Sequence, residues 1–267
     1  SDTKECDIVV LGAGCSGTNT AVRASELGKK VILVEKTGTV GGASNLSGST
    51  MAYGSSFATA AGAEYDLLDI MGTWVADSHW RVDGASINQL LNNCGEAVDW
   101  MAANGWEFTT STMNAASVSL PDYDLRQGLY LDMVDTHVVS NGGELLTDTV
   151  AKSLITDESG TVTGVIVVDK EGTGIQINAK ATVIATGGYA GNREMVNEVF
   201  RFDGVLGGVP QNIGEGLEMA WKAGAQKPQN FGGQMLHQTL ARATDVLSND
   251  YEGLQWKYPM ILCYIAG

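Results

Sequence analysis

Three glycines at one spacing mark where this chain can do chemistry. Gly12, Ala13, Gly14, Cys15, Ser16 and Gly17 spell a G-x-G-x-x-G turn. In such a turn the first glycine permits a tight bend, the second lets backbone approach a diphosphate, and the third brings a helix close to a strand. A helix starting there presents free N–H groups and a partial positive charge, so the chemistry on offer is anion binding by backbone. Glu35 is the second candidate. It lies 21 positions beyond Gly14, where a carboxylate can accept hydrogen bonds from ribose hydroxyls. A negative charge at that position disfavours a 2′-phosphorylated ligand.

Certain elements must position these residues. Residues 7–11, a short apolar run, are expected to form a buried parallel strand. Residues 16–27 follow as a helix, with Ala21, Ala24 and Leu27 at helical spacing and Gly28 closing it. Residues 30–34 read as a second strand that ends at Glu35. In a chain with 34 glycines a bare motif is expected by chance; the strand, helix, strand and acidic terminus set this one apart from a βαβ turn with no ligand. Residues 36–54 then lack a helical pattern. Lys36, Gly41, Gly42, Ala43, Ser44, Ser47 and Gly48 belong to a stretch rich in Gly, Ser and Thr. A loop of amides and hydroxyls suits the diphosphate, ribityl chain and ring of a long cofactor, which favours FAD over NAD.

These segments resemble the FAD-binding domain of the fumarate reductase and succinate dehydrogenase flavoproteins, in the soluble branch of flavocytochrome c fumarate reductases, urocanate reductases and ketosteroid dehydrogenases. The resemblance runs from VVLGAGCSGTNTAVRASELGKKVILVEK and VGGASNLSGS through residues 66–71, 97–101 and 185–192, then 213–216 and 223–225. It departs at Ala43, where the family usually has asparagine, and at Glu215, where it has aspartate. The resemblance implies an α/β fold: a Rossmann-like parallel sheet with a β-meander and helical insertions. It implies an FAD-binding domain over residues 1–235 and the start of a capping domain over 236–267. It implies cofactor contacts from Val150 near the adenine, from Ala185, Thr186 and Gly187 where backbone passes the dinucleotide, and from Glu215 near the ribityl chain. Glu215 could instead serve only the helix N-terminus. His237 matches a histidine that holds a substrate carboxylate, although a lone histidine in an apolar segment is often structural. With no histidine in residues 36–50, FAD is expected to be non-covalent.

By the same resemblance the activity is FAD-dependent reduction of an activated C=C bond in a small unsaturated carboxylate, with an unknown electron donor of which a cytochrome is one candidate. The family's proton-donating arginine and C-terminal return segment find no match, so the chain is expected to be the N-terminal portion of a longer flavoprotein and catalytically poor alone. Two alternatives stay open: a ketosteroid-type dehydrogenase, and a non-catalytic nucleotide-binding module associating through the apolar end at residues 258–267. The compartment also stays open, between a bacterial cytoplasm and export with the leader removed.

The remaining pattern is structural. Residues 67–101 are largely helical, with Leu67, Ile70, Met71 and Trp74 on one face and Leu90, Leu91, Ala97, Val98 and Met101 on another. Core helices are the preferred reading there over a substrate role for Trp74, His79 or Trp80. Residues 128–141 read as a helix, 145–150 as a strand, and 162–168, 174–178 and 181–185 as a β-meander rejoining the parallel sheet. Sixteen Lys and Arg against 31 Asp and Glu leave a charge of −15, which repels nucleic-acid phosphates and anionic membranes. No apolar run approaches the roughly 20 residues that span a bilayer. The four cysteines and three histidines lack metal-ligand or haem-attachment spacing.

Overall fold

A computed structural model describes residues 2–80, 82–111, 115–200 and 209–227; His237 and the expected start of a capping domain lie outside these residues. The chain begins with β1 (Asp2–Leu11), followed by α1 (Cys15–Glu26) and β2 (Val31–Val34). The first strand is longer than its apolar run because residues 2–6 pair with a later strand. Helix α1 closes as Gly28 takes φ +74, with Gly28 N–H donating to Ser25 O and Lys29 N–H to Ala24 O. A 3₁₀ turn (Gly42–Leu46) leads to β3 (Ser49–Met51) and α2 (Ser56–Ala60).

Two helices follow, α3 (Leu67–Asp77) and α4 (Gly84–Ala103). Each starts at an aspartate: the Asp66 carboxylate accepts from Leu68 N–H and that of Asp83 from Ala85 N–H. Next come β4 (Thr109–Thr110), β5 (Ser117–Ser119), α5 (Tyr123–Met133) with a π-helical extension (Val134–Val139), and β6 (Glu144–Leu146). The described chain closes with β7 (Val150–Thr156), β8 (Val162–Val168), β9 (Gly174–Ile184), α6 (Arg193–Phe200) and α7 (Glu215–Lys222).

Six strands form the main sheet in the order β6-β2-β1-β9-β8-β7. The first four are parallel, and β8 and β7 add an antiparallel pair. Alternation along each strand splits the core into two layers. Val10, Val31 and Leu33 meet Ala21 and Val22 of α1 and Tyr130, Met133 and Val134 behind it. Val9, Leu11, Ile32 and Val34 face the other way, toward Val165, Ile177 and Met219. The α/β Rossmann-like architecture with a meander is thus present, and a small sheet, β3-β5-β4, carries the helical insertion.

Five expectations are corrected. The helix placed at 128–141 begins at Tyr123 and loosens to π geometry past Met133. The strand placed at 145–150 is two strands, broken where Asp148 takes φ +49. The segments 174–178 and 181–185 are one strand, because β9 pairs with β8 through its first half and with β1 from Ile175 to Ile184. On α4 the buried stripe is Leu91, Cys94, Gly95, Val98 and Met101; Leu90 and Ala97 fall outside it and are exposed. Trp80 is likewise no core residue. It is 81% exposed in a turn where His79 and Trp80 both adopt positive φ.

Candidate functional site

The glycine turn joins β1 to α1, and its three glycines have separable reasons. A Cβ on Gly12, at φ +96, would lie 2.5 Å from Ala185 O, and one on Gly17 would lie 1.7 Å from Gly12 O. Both are excluded by the protein itself. A Cβ on Gly14 would meet nothing nearer than 3.7 Å. Packing does not forbid it, so the space beside Gly14 belongs to a cavity of about 1500 Å³ that this residue lines. Gly14 is also the N-cap of α1 and offers no capping side chain, which leaves the helix start available to an anion.

Glu35 ties the end of β2 to this turn. Its carboxylate accepts from Ala13 N–H at 2.8 Å through one oxygen, and from Thr37 N–H and Thr37 Oγ1, both at 2.8 Å, through the other. It is 8% exposed and lines the cavity. A carboxylate has about four acceptor positions, so its bonds inside the protein leave capacity for a hydroxyl. The following loop folds back onto the turn. Gly41 N–H donates to Ala13 O at 2.7 Å, and Cys15 N–H donates to Ser44 Oγ at 3.1 Å. Beneath them sits Tyr130, buried, whose hydroxyl is held well above the usual tyrosine range by burial and by Cys15 beside it.

The opposite wall comes from distant sequence. Ala185 N–H donates to Leu11 O at 2.8 Å, and a Cβ on Gly216 would lie 2.1 Å from Thr186 Oγ1. Helix α7 therefore packs tightly against the end of β9. Glu215, its first residue, pairs with Lys36 Nζ at 2.5 Å, and Lys36 also donates to Gln211 O. The pair spans from β2 to α7 across one side of the cavity.

Of the predicted cofactor residues, all but three line this cavity. Ala13, Gly17 and Gly41 do not: Ala13 and Gly17 are buried and Gly41 is turned at φ +99 against Asn45. They shape the site rather than face it. The loop residues Gly42, Ala43, Ser44, Ser47 and Gly48, and the distant Val150, Thr186, Gly187 and Glu215, all converge there. Sequence reading missed Tyr123, Arg126, Gln127, Gln211 and Asn212, which also line it. Arg126 had a signal: between positions 37 and 151 it and Arg81 are the only Lys or Arg residues. Its guanidinium donates to Pro121 O at 2.6 Å, to Asn45 O at 2.7 Å and to Ser47 O, pinning the loop from α5.

This geometry fits a dinucleotide cofactor, since a helix start with no capping side chain at Gly14, a backbone face cleared of side chains and a carboxylate at the second strand share one cavity.

Comparison with known proteins agrees. The family profile for the FAD binding domain matches residues 7–239. Vinyl phenol reductase of Lactiplantibacillus plantarum is 31% identical over 83% of this chain, fumarate reductase (cytochrome) of Shewanella frigidimarina is 29% identical over 82%, and urocanate reductase of Eggerthella lenta is 29% identical over 72%. The chain spans 46%, 40% and 33% of their lengths. Among solved structures, the open conformation of a flavocytochrome c3 fumarate reductase superposes with a TM-score of 0.73 at 24% identity, over 85% of this chain and 42% of that one. A 3-ketosteroid-Δ4-(5α)-dehydrogenase from Rhodococcus jostii superposes with a TM-score of 0.68 at 20% identity, over 84% and 55%. The chain belongs to the FAD-binding domain family of the fumarate reductase and succinate dehydrogenase flavoproteins.

Proposed function

We propose that this chain is the cofactor-holding part of an FAD-dependent oxidoreductase that reduces an activated C=C bond of a small unsaturated carboxylate, with FAD held non-covalently. The observation that carries the reading is Gly14: no protein atom requires a glycine there, and the side left free opens on the cavity at the start of α1. In this reading the N–H groups at the start of α1 hold the diphosphate and the remaining acceptor capacity of Glu35 takes a ribose hydroxyl. Val150 borders the adenine, the backbone of residues 42–48 runs beside the ribityl chain and ring, and Glu215 reaches the ribityl hydroxyls while paired with Lys36. When bound, FAD supplies hydride transfer from its reduced ring.

The substrate class comes from the relatives. Fumarate and urocanate, in the names of two of them, are both unsaturated carboxylates. In this reading His237 holds the carboxylate, and the proton donor comes from the remainder of a longer protein. A cytochrome, named with the Shewanella relative, is the proposed electron donor. A second reading has one observation in its favour: vinyl phenol reductase is named for an activated alkene that carries no carboxylate.

The first experiment is visible absorbance of the purified chain with and without FAD, followed by chromatography of any flavin released on denaturation. A flavin spectrum whose pigment leaves as FAD supports the reading. Pigment that stays with the denatured chain overturns non-covalent binding, and uptake of NAD in place of FAD overturns the cofactor. Reoxidation of the reduced full-length flavoprotein by fumarate, but not by 4-vinylphenol, supports the carboxylate substrate; the reverse supports the second reading.

A further inference from the structure

We infer that Arg126 holds an anionic oxygen of the ligand that fills the cavity, an inference that rests on the FAD reading above. The side chain is 7% exposed, and no carboxylate pairs with it among the described residues. Its five N–H groups can be accounted for one by one. Nε donates to Pro121 O, and the two N–H groups of Nη1 go to Asn45 O and Ser47 O. The two on Nη2 have no partner among the described residues, and Arg126 lines the cavity.

A buried guanidinium answered only by carbonyl dipoles is costly unless a counter-charge completes it. In a chain of net charge −15 carboxylates are plentiful, yet among the described residues none pairs with Arg126. The other cation of the cavity wall, Lys36, is already neutralised by Glu215. Among the described residues Arg126 is therefore the cavity's uncompensated positive charge, with one edge fixed by the loop and the other free for an oxyanion. Two sources carry that chemistry, the cofactor's diphosphate and a substrate carboxylate.

The test compares wild type with Arg126→Gln, measuring FAD and riboflavin affinity by flavin fluorescence and fumarate binding to FAD-loaded protein by calorimetry. FAD affinity about tenfold to a hundredfold lower with riboflavin affinity little changed assigns the diphosphate to Arg126. Unchanged FAD affinity with lost fumarate binding assigns the carboxylate. FAD and riboflavin weakened in equal proportion, or no change in any ligand, makes Arg126 a support for residues 45–47 alone and overturns the inference. Arg126→Lys keeps the charge but not the fork, so under the inference it retains part of the selectivity that Arg126→Gln loses; it is the variant to read if the glutamine chain does not fold, and FAD and riboflavin weakened in equal proportion with fumarate binding unchanged in a folded lysine variant overturns the inference. A wild-type chain that binds no FAD overturns the cofactor reading and this inference with it, whereas wild-type uptake of FAD, with both the FAD-to-riboflavin preference and fumarate binding unchanged in Arg126→Gln, overturns this one only.

Discussion

Two regions of the cavity wall are built by opposite means. The turn at residues 12–17 works by omission: side chains are missing where backbone must approach backbone or ligand. A Cβ would collide with neighbouring backbone at Gly12 and Gly17, whereas at Gly14 it would meet Gly41 O and Ser44 Oγ at an ordinary contact distance of 3.7 Å. The loop at residues 41–48 works by attachment. Ser44 takes the Cys15 N–H, and Arg126 reaches from α5 to the carbonyls of Asn45 and Ser47. The first region is therefore fragile to added atoms and the second to removed ones. A site for a long cofactor needs both, because one part must be rigid before binding while the other must wrap around what arrives.

The sharpest way to break this contrast is at Gly17. Gly17→Val puts a Cβ 1.7 Å from Gly12 O, and is expected to cost about 3 kcal/mol or more, or to prevent folding. Thermal or urea unfolding measures it, and a loss under about 1 kcal/mol would show that α1 shifts freely. Gly14→Ala separates binding from folding. With 3.7 Å of clearance its stability should change by less than about 1 kcal/mol, while FAD affinity falls at least about tenfold as the methyl enters the ligand's space; equal losses in both would make Gly14 a packing residue.

A smaller effect concerns the strand behind the site. Burial raises the Cys6 thiol from its ordinary value near 9 to about 11. A raised thiol pKa means the folded state resists ionisation, so this stability is present below pH 9 and is lost as pH rises toward 11. The loss should be on the order of 2 kcal/mol and absent from Cys6→Ala, read from denaturation midpoints across that window. The smallest effect tests attachment. Ser44→Ala removes the acceptor of Cys15 N–H and should cost about 1 kcal/mol; a neutral result would mean that the Gly41 N–H bond to Ala13 O and the Arg126 contacts suffice to hold the loop.

Much of the site was legible because its chemistry is local. The turn, α1, β2 and Glu35 occupy consecutive positions, so the spacing that defines them in sequence is the spacing that places them in space. Residues 42–48 were legible as lacking an α-helix because their composition is rich in Gly and Ser, but the 3₁₀ turn over Gly42–Leu46 was not foreseen. The helical insertion was legible in outline only: apolar periodicity found α3 and α4 but assigned Leu90 and Ala97 to the buried face. That face is set by which neighbours arrive, here Tyr53 and Ala116 against Leu91 and Cys94, and a helix alone does not say where they will be.

By itself, then, the sequence determined a βαβ unit with an anion-ready turn, an acidic residue at the second strand and a glycine-rich loop, since each rests on bonds within a few residues. Only the tertiary structure decided that Lys36 pairs with Glu215 at a separation of 179 residues and that Arg126 lies 81 residues from the carbonyl of Asn45 that it holds. It also decided which carboxylate neutralises which cation. The physical reason is that charge pairing and side-chain burial depend on which distant surfaces meet, and here they meet only when β9 inserts beside β1 and brings α7 over the end of β2.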